Sequence, residues 1–243
     1  MKIIKLSAID STNSFLKDLA QDSCLENFTI VTTESQLKGR GQQSSVWLSE
    51  PSKNLTFSVF VSFKNFEISN KKYLTFAVSL AVYEAIIEEI KHDVFIKWPN
   101  DILSGNKKLC GILVENSIQK TKIKYSVIGI GLNVNQTNFS EAIDKVTSVK
   151  LITQKKYDLD VFLNSIILKL KSRIRELENQ DFKKLEDNYL SVLYKKNTPT
   201  MFKNSSDGLF MGIICGISKD GLLQIELEDE TIKEFGIKEV SFA

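Results

Sequence analysis

KWPNDILSGNKKLCGILVE, residues 97–115, is the stretch that settles how this chain folds. DVFIKW (93–98) is a short apolar strand candidate. Pro99 fixes the backbone after it, and Asn100-Asp101 are turn formers with two side-chain oxygens. Lys107-Lys108 then leads straight into an apolar run, so KLCGILVEN (108–116) reads as a buried strand opened by a lysine and closed by Glu115. A Pro-Asn-Asp turn needs no further explanation, but a lysine at the mouth of a buried strand beside an aspartate does. Such a lysine can hold its ammonium over a phosphate, and Gly111 lets backbone or ligand come close.

Working outward, KIIKLSAI (2–9) and FTIVTTESQ (28–36) are strand candidates, as is NLTFSVFVSF (54–63), which alternates Phe57, Val59, Val61 and Phe63 on one face. Asp10-Ser11-Thr12-Asn13 are all good helix caps before the helical pattern SFLKDLA. YLTFAVSLAVYEAIIEEI (73–90) repeats apolar residues every three to four positions, a largely buried helix. Downstream, KYSVIGIGLNVN (124–135) gives a third strand after DVFIKW and KLCGILVEN. Residues 158–178 and 182–194 read as helices, with the charges of 169–187 forming a solvated face. KKNTPTMFKNSSDG (195–208) has a linker composition. LFMGIICGIS and LLQIELED flank Lys219-Asp220-Gly221, and TIKEFGIKEVSF ends the chain; short strands between turn signals predict a small β-barrel. The expected fold class is α+β: a mixed, largely antiparallel sheet with helices over 1–194, and a β module over 195–243.

Composition narrows the function. The 243 residues are 42% apolar and 26% charged, ordinary for a globular protein, and suffice for one large core with a small second domain. A net charge of +2 gives no field to recruit nucleic acid. No apolar run spans a bilayer and MKIIKLSAIDSTN lacks a signal-peptide core, so a cytoplasmic protein with no membrane partner is expected. Cys24, Cys110 and Cys215, odd in number and widely spaced, suggest neither a disulfide framework nor a metal site.

Two further segments carry chemistry. In GRGQQSSVW (39–47), Gly39 and Gly41 surround Arg40, whose planar fork suits carboxylate or phosphate, and Trp47 follows. GIGLNVN (129–135) ends a buried strand at Asn133, a side chain that both donates and accepts. Neither is a Walker loop or a dinucleotide fingerprint.

STN (11–13), Gln36 with GRG (39–41), VWLSEPSKNLTFSV (46–59), KWPNDI (97–102), KKLCGILVE (107–115) and GIGLNVN (129–135), in this order, resemble the biotin protein ligases. Each segment is weak alone, but the ordered set is specific. The resemblance spans about residues 1–190 as a class II synthetase-like catalytic domain, and more weakly an SH3-like C-terminal barrel. Family members carrying an N-terminal helix-turn-helix repress transcription. The first motif here begins at residue 11, so the short form, without nucleic-acid partners, is expected.

The resemblance implies the chemistry: biotin and ATP form biotinyl-5′-AMP, then biotin passes to one lysine of the biotin carboxyl carrier protein of a carboxylase. Mg²⁺ would accompany ATP; its protein ligands are not legible. Arg40 and Lys108 would gather carboxylate and α-phosphate, with Lys108 the principal catalytic cation. Lys97 and Asp101 would organise the polyphosphate, Asn100 and Asn133 would contact the nucleotide, and Asp101 would orient or deprotonate the acceptor amine. Ser11, Thr12, Asn13 and Gln36 would meet biotin, whose ureido ring has one acceptor and two donors, with Gly39, Gly41, Gly111 and Gly129 where backbone lies against the ligand. For Ser11 and Thr12, helix capping is the simpler reading of the residues themselves, and the two roles are compatible. Trp47 would close the loop beside adenine, against core packing as the alternative. Lipoate–protein ligase and a noncatalytic biotin-binding module are the competing readings. Homodimerisation occurs in the family, though nothing in the sequence encodes it. One departure stands out: many members continue GRG as GRGRxG, where this chain has Gln42-Gln43-Ser44-Ser45. Fewer cations then pin the loop, and Ser44 in place of a glycine makes a left-handed backbone position less accessible there.

Overall fold

The computed structural model describes residues 2–140 and 145–243. In chain order these form Ile3–Ile9 (β1), Thr12–Asp22 (α1), Ile30–Gln36 (β2), Leu55–Glu67 (β3), Lys71–Ile90 (α2), Val94–Lys97 (β4), Asp101–Ser104 (β5), Lys107–Gln119 (β6) and Lys122–Leu132 (β7). Val149–Thr153 (α3), Leu159–Glu178 (α4) and Phe182–Ser191 (α5) follow. The strands make one sheet in the order β1-β2-β3-β7-β6-β5-β4. β1 and β2 are parallel, joined by α1, and every other pair is antiparallel.

The two faces of the sheet have different work, and the alternation of β3 explains why. Phe57, Val59 and Val61 point into the main core, with Ile112, Ile128 and Ile130 from the neighbouring strands. α2, apolar nearly all round, lies against this face beside α4, which itself reaches β3. The other face carries Phe60, Val31 and Val127 under Leu16 of α1 at one end. Toward the other end it carries mostly small or polar residues beside Leu113: Ser58 opposite Gly129, Thr56 opposite Gly131, and Gly111 opposite Gly131. The absence of bulk there leaves room above the sheet.

β5 departs from the sequence reading, which placed three strands where four occur. DILS is too short to declare itself by periodicity, and β4 and β5 make a hairpin closed by Trp98, Pro99 and Asn100, with Lys97 directly opposite Asp101. The linker reading of 195–208 is also corrected. Pro199–Asn204 forms β8, followed by Leu209–Ile217 (β9), Leu223–Leu227 (β10), Ile232–Phe235 (β11) and Val240–Phe242 (β12). This second sheet runs β11-β10-β9-β8-β12, antiparallel throughout, as expected of the small β module. Only Phe202 of β8 is buried, so its sequence shows no apolar alternation. The module abuts the large sheet. Lys72 of α2, itself buried, donates to Glu186 of α5 at 2.8 Å and to the carbonyl of Ser218 at 3.2 Å, and Trp98 Nε1 donates to the carbonyl of Gly221 at 3.1 Å. Among the described residues, no helix is long and apolar enough to cross a membrane.

Candidate functional site

A cleft of about 480 Å³ opens over the small-residue face of the sheet. Its floor is a row of register partners across five strands: Thr56, Gly131, Gly111, Asp101 and Lys97. The N-terminus of α1 and Gln36 wall one end, the loop 40–47 covers it, and Ile237, Lys238 and Phe242 of the C-terminal module close the other side.

At the α1 end, Ser11 caps the helix, accepting from the backbone N–H of Ser14 at 3.4 Å. Thr12 donates its backbone N–H and its hydroxyl to Gln36 Oε1 at 3.0 and 3.2 Å. Ser58 Oγ donates within reach of both Thr12 Oγ1 (2.8 Å) and Asn13 Oδ1 (2.5 Å). Ser11, Thr12 and Asn13 are all buried. Capping and pocket lining therefore coincide, because a capped first turn holds its side chains still. Gly129 has a reason invisible in the sequence. A methyl there would collide with Asn13, lying 3.0 Å from Cγ and 3.1 Å from Nδ2, so this glycine makes room for a protein side chain.

At the other end, a β-bulge decides which way Lys108 points. Asp101 pairs with Gly111 and Ile102 with Cys110, but Leu103 pairs with Lys108, so Leu109 is the extra residue. Without it, alternation would put Lys108 on the core face beside Cys110. With it, Leu109 is fully buried and Lys108 turns to the cleft, its Nζ 2.7 Å from Asp101 Oδ1. That contact is an ion pair without hydrogen-bond alignment, and the buried Asp101 Oδ1 has no hydrogen-bond partner among the described residues. Lys97 lies in the same cluster. Burial lowers its pKa, the Asp101 carboxylate opposes this, and the charges of Lys108 and Lys145 add to the lowering. Lys97 Nζ also stands 5.3 Å from the Phe242 ring centre.

The loop between β2 and β3 doubles back on itself. Trp47 N–H donates to the Gly39 carbonyl at 2.9 Å and Gly41 N–H to the Ser45 carbonyl at 2.7 Å. Gln43 takes a left-handed conformation at φ 47°, where a glycine would be unstrained, and its carbonyl accepts from Lys238 Nζ at 2.8 Å. The Trp47 indole lies on Gly131 and Gly111: a methyl on Gly131 would be 2.7 Å from Cζ2, and one on Gly111 would be 3.3 Å from Cζ3. Among the described residues its buried Nε1–H has no hydrogen-bond partner, nor has Gln42 Oε1. Trp47 is thus part of the cleft rather than of the core.

A family pattern described as the biotin/lipoate A/B protein ligase family matches residues 6–133, more than half of the chain. The chain belongs to this family. Among curated proteins, this ligase-family chain is 29% identical over 241 residues to the bifunctional ligase/repressor BirA of Bacillus subtilis strain 168, covering 98% of this chain and 71% of that one. It is 28% identical over 173 residues to the biotin--[acetyl-CoA-carboxylase] ligase of Mycobacterium tuberculosis, covering 70% and 62%. Among solved structures, the biotin protein ligase of Aquifex aeolicus in complex with biotin and ATP aligns at a TM-score of 0.80 with 28% identity, over 100% of this chain and 98% of that one.

The structure gathers most of the residues that the sequence singled out: Ser11, Thr12, Asn13, Gln36, Arg40, Gly41, Trp47, Lys97, Asn100, Asp101, Lys108, Gly111 and Gly129 all line the cleft. Four of the singled-out residues make contacts within the protein or lie outside the lining. Asn100 donates to the Ile112 carbonyl at 2.7 Å and so holds the β4–β5 turn. Arg40 faces Ser14 Oγ (2.9 Å) and Glu115 Oε2 (3.4 Å) rather than the cleft centre. Gly39 lies outside the lining and packs under the Trp47 carbonyl. Asn133 also lies outside the lining. Its Nδ2 donates to the Thr147 carbonyl at 3.1 Å, which braces the segment whose Lys145 carbonyl accepts from Lys108 N–H at 2.6 Å. Sequence reading did not find Ser58, Lys238 or Phe242. Ser58 interrupts the apolar run Phe57, Val59, Phe60 and Val61, a legible signal, but Lys238 and Phe242 are distant in sequence and carry none.

Proposed function

We propose that this chain is an ATP-dependent ligase that joins biotin to a carrier-domain lysine through biotinyl-5′-AMP, with the cleft above the glycine row as the seat of both steps. Its homologues are biotin--protein ligases, which favours biotin over lipoate. The observation that carries the reading is the pairing of two unlike ends in one cleft. A neutral hydrogen-bonding corner (Thr12, Asn13, Gln36) faces a cationic one (Lys97, Lys108, Lys145) around the carboxylate of Asp101. A neutral ureido ring and a polyphosphate need these two environments about one acyl chain apart.

In the first step the biotin carboxylate attacks the α-phosphorus and pyrophosphate leaves. Two anions must meet, so charge neutralisation and alignment dominate. Lys108 supplies the central cation, and Asp101 holds it in place until the α-phosphate displaces that contact. Lys97, held in a half-buried setting, faces the polyphosphate. Asp101 would hold Mg²⁺ brought in with ATP once the α-phosphate has drawn Lys108 from its carboxylate, since Mg²⁺ takes one or two carboxylates plus substrate phosphates. When bound, the ion offsets the charge on the leaving pyrophosphate. In the second step the acceptor lysine attacks the acyl carbon and AMP leaves; Asp101 is the carboxylate in the cleft placed to orient that amine or take its proton. Trp47 and the loop keep water from the mixed anhydride meanwhile. The acceptor is the biotin carrier of acetyl-CoA carboxylase, as the relatives' names indicate.

Biotin-dependent exchange of label between pyrophosphate and ATP tests the reading. Exchange with biotin supports it, exchange only with lipoate moves the chain to the family's other branch, and no exchange leaves a binding module.

A further inference from the structure

Glu115, on β6 beyond Gly111, is absent from the cleft lining, yet three residues at the site's edge converge on it. Its Oε2 accepts from Asn13 Nδ2 at 2.8 Å and lies 3.4 Å from Arg40; its Oε1 accepts from Lys17 Nζ at 3.0 Å. Arg40 also donates to Ser14 Oγ at 2.9 Å. Burial pushes the Glu115 carboxyl up, but the hydrogen bonds from Asn13 and Lys17 and the charges of Lys17 and Arg40 outweigh it and bring it below its ordinary value. At neutral pH it is a carboxylate. Two things follow from the geometry. Asn13, pressed between Gly129 and Ser58, has its orientation fixed by the glutamate. The arginine of the GRG loop, which adenylation needs for an anion of the substrate, is meanwhile held by an anion of the protein.

We propose that Glu115 is a positioning residue that anchors Asn13 beside the biotin pocket and parks Arg40 until the anionic nucleotide draws it away. This rests on the ligase reading above. The two tasks have opposite consequences, which makes them separable. Anchoring Asn13 favours biotin binding. Parking Arg40 competes with ATP, because each binding event must break the Arg40–Glu115 contact. The pair is half exposed, 47% for the arginine and 22% for the glutamate, so the competition is modest. A contact of this kind weakens apparent ATP affinity by about two- to fivefold. Lys17 moderates it by sharing the carboxylate.

The test is the ATP and biotin dependence of pyrophosphate exchange in Glu115→Gln, which keeps a carbonyl for Asn13 and removes the charge. The apparent KM for ATP should fall about two- to fivefold while that for biotin stays within about twofold. Lys17→Met, at the surface, should shift it the other way, since Arg40 then has Glu115 to itself. Arg40→Met should weaken ATP use, and in that background Glu115→Gln should confer no gain. An ATP KM unchanged or raised in Glu115→Gln, or a gain that persists without Arg40, would overturn the inference while leaving the ligase reading intact. If Arg40→Met leaves the ATP dependence unchanged, the inference fails because Arg40 is not the nucleotide's partner. A wild-type protein with no biotin-dependent exchange overturns the ligase reading, and the inference with it.

Discussion

Gly129 and Gly131, two residues apart on β7 and on the same face, should fail in different ways when each is replaced by alanine. In Gly129→Ala the new methyl meets Asn13, 3.0 Å from its Cγ. Asn13 cannot swing aside at little cost. It is buried, it is held by Glu115 at 2.8 Å and Ser58 at 2.5 Å, and its backbone belongs to the capped first turn of α1. Overpacking of this sort costs about 1–3 kcal/mol, and a buried amide deprived of its partners costs a similar amount. If about 1.4–2.8 kcal/mol of this falls on the bound state, biotin affinity drops by about ten- to a hundredfold. In Gly131→Ala the methyl meets the Trp47 indole instead, 2.7 Å from Cζ2, and lifts the loop off the floor. Biotin affinity should then change little, while retention of the adenylate and use of ATP suffer. Calorimetric titration of biotin into both variants, with thermal melts to verify folding, separates them. Equal loss of biotin affinity in the two, or none in folded Gly129→Ala, would refute the assignment of the two collisions to different functions.

Lys238→Met removes the module's hydrogen bond to Gln43; bound biotinyl-AMP should be lost about two- to fivefold faster, the scale of one exposed contact, as read by single-turnover decay. Gln42→Arg restores a cation to the loop and should slow the same decay without abolishing ligation; unchanged decay and unchanged labelling of a bystander protein would mean that position 42 does not guard the intermediate. Because the folded pKa of Glu115 lies below its ordinary 4.5, its contribution to stability is present above 4.5 and lost as pH falls through the lowered value. The melting temperature of wild type should therefore exceed that of Glu115→Gln near neutral pH, and the gap should close on acidification.

Much of the fold and site is legible in the sequence because the same residues carry both. The alternation of Phe57, Val59 and Val61 sets the sheet's core face, and so places Ser58 and the glycines opposite. The capping run at 11–13 fixes the helix whose first turn walls the pocket. What escapes has physical causes. β5 and β8 are four and six residues long, with too little apolar alternation to stand out. The bulge at Leu109 is a property of pairing with β5, so the direction of Lys108 follows only once that partner strand and its register are known. Ser44 stands where the family pattern has a glycine, yet the left-handed residue of the loop is Gln43. Lys238 meets the loop across 195 residues, a contact no local pattern encodes.

Rapid-quench measurement of biotinyl-AMP formed by wild-type protein and by Lys108→Ala, each in excess over labelled ATP with saturating biotin, addresses the core of the account. Lys108 is the cation that the bulge turns into the cleft beside Asp101, and the loss of one preorganised charge contact at a developing charge costs about two to three orders of magnitude. Wild type should form enzyme-bound biotinyl-AMP that a carrier domain then discharges, and Lys108→Ala should form it at least about a hundredfold more slowly while still binding biotin. Adenylate formation at the wild-type rate in Lys108→Ala would contradict the account.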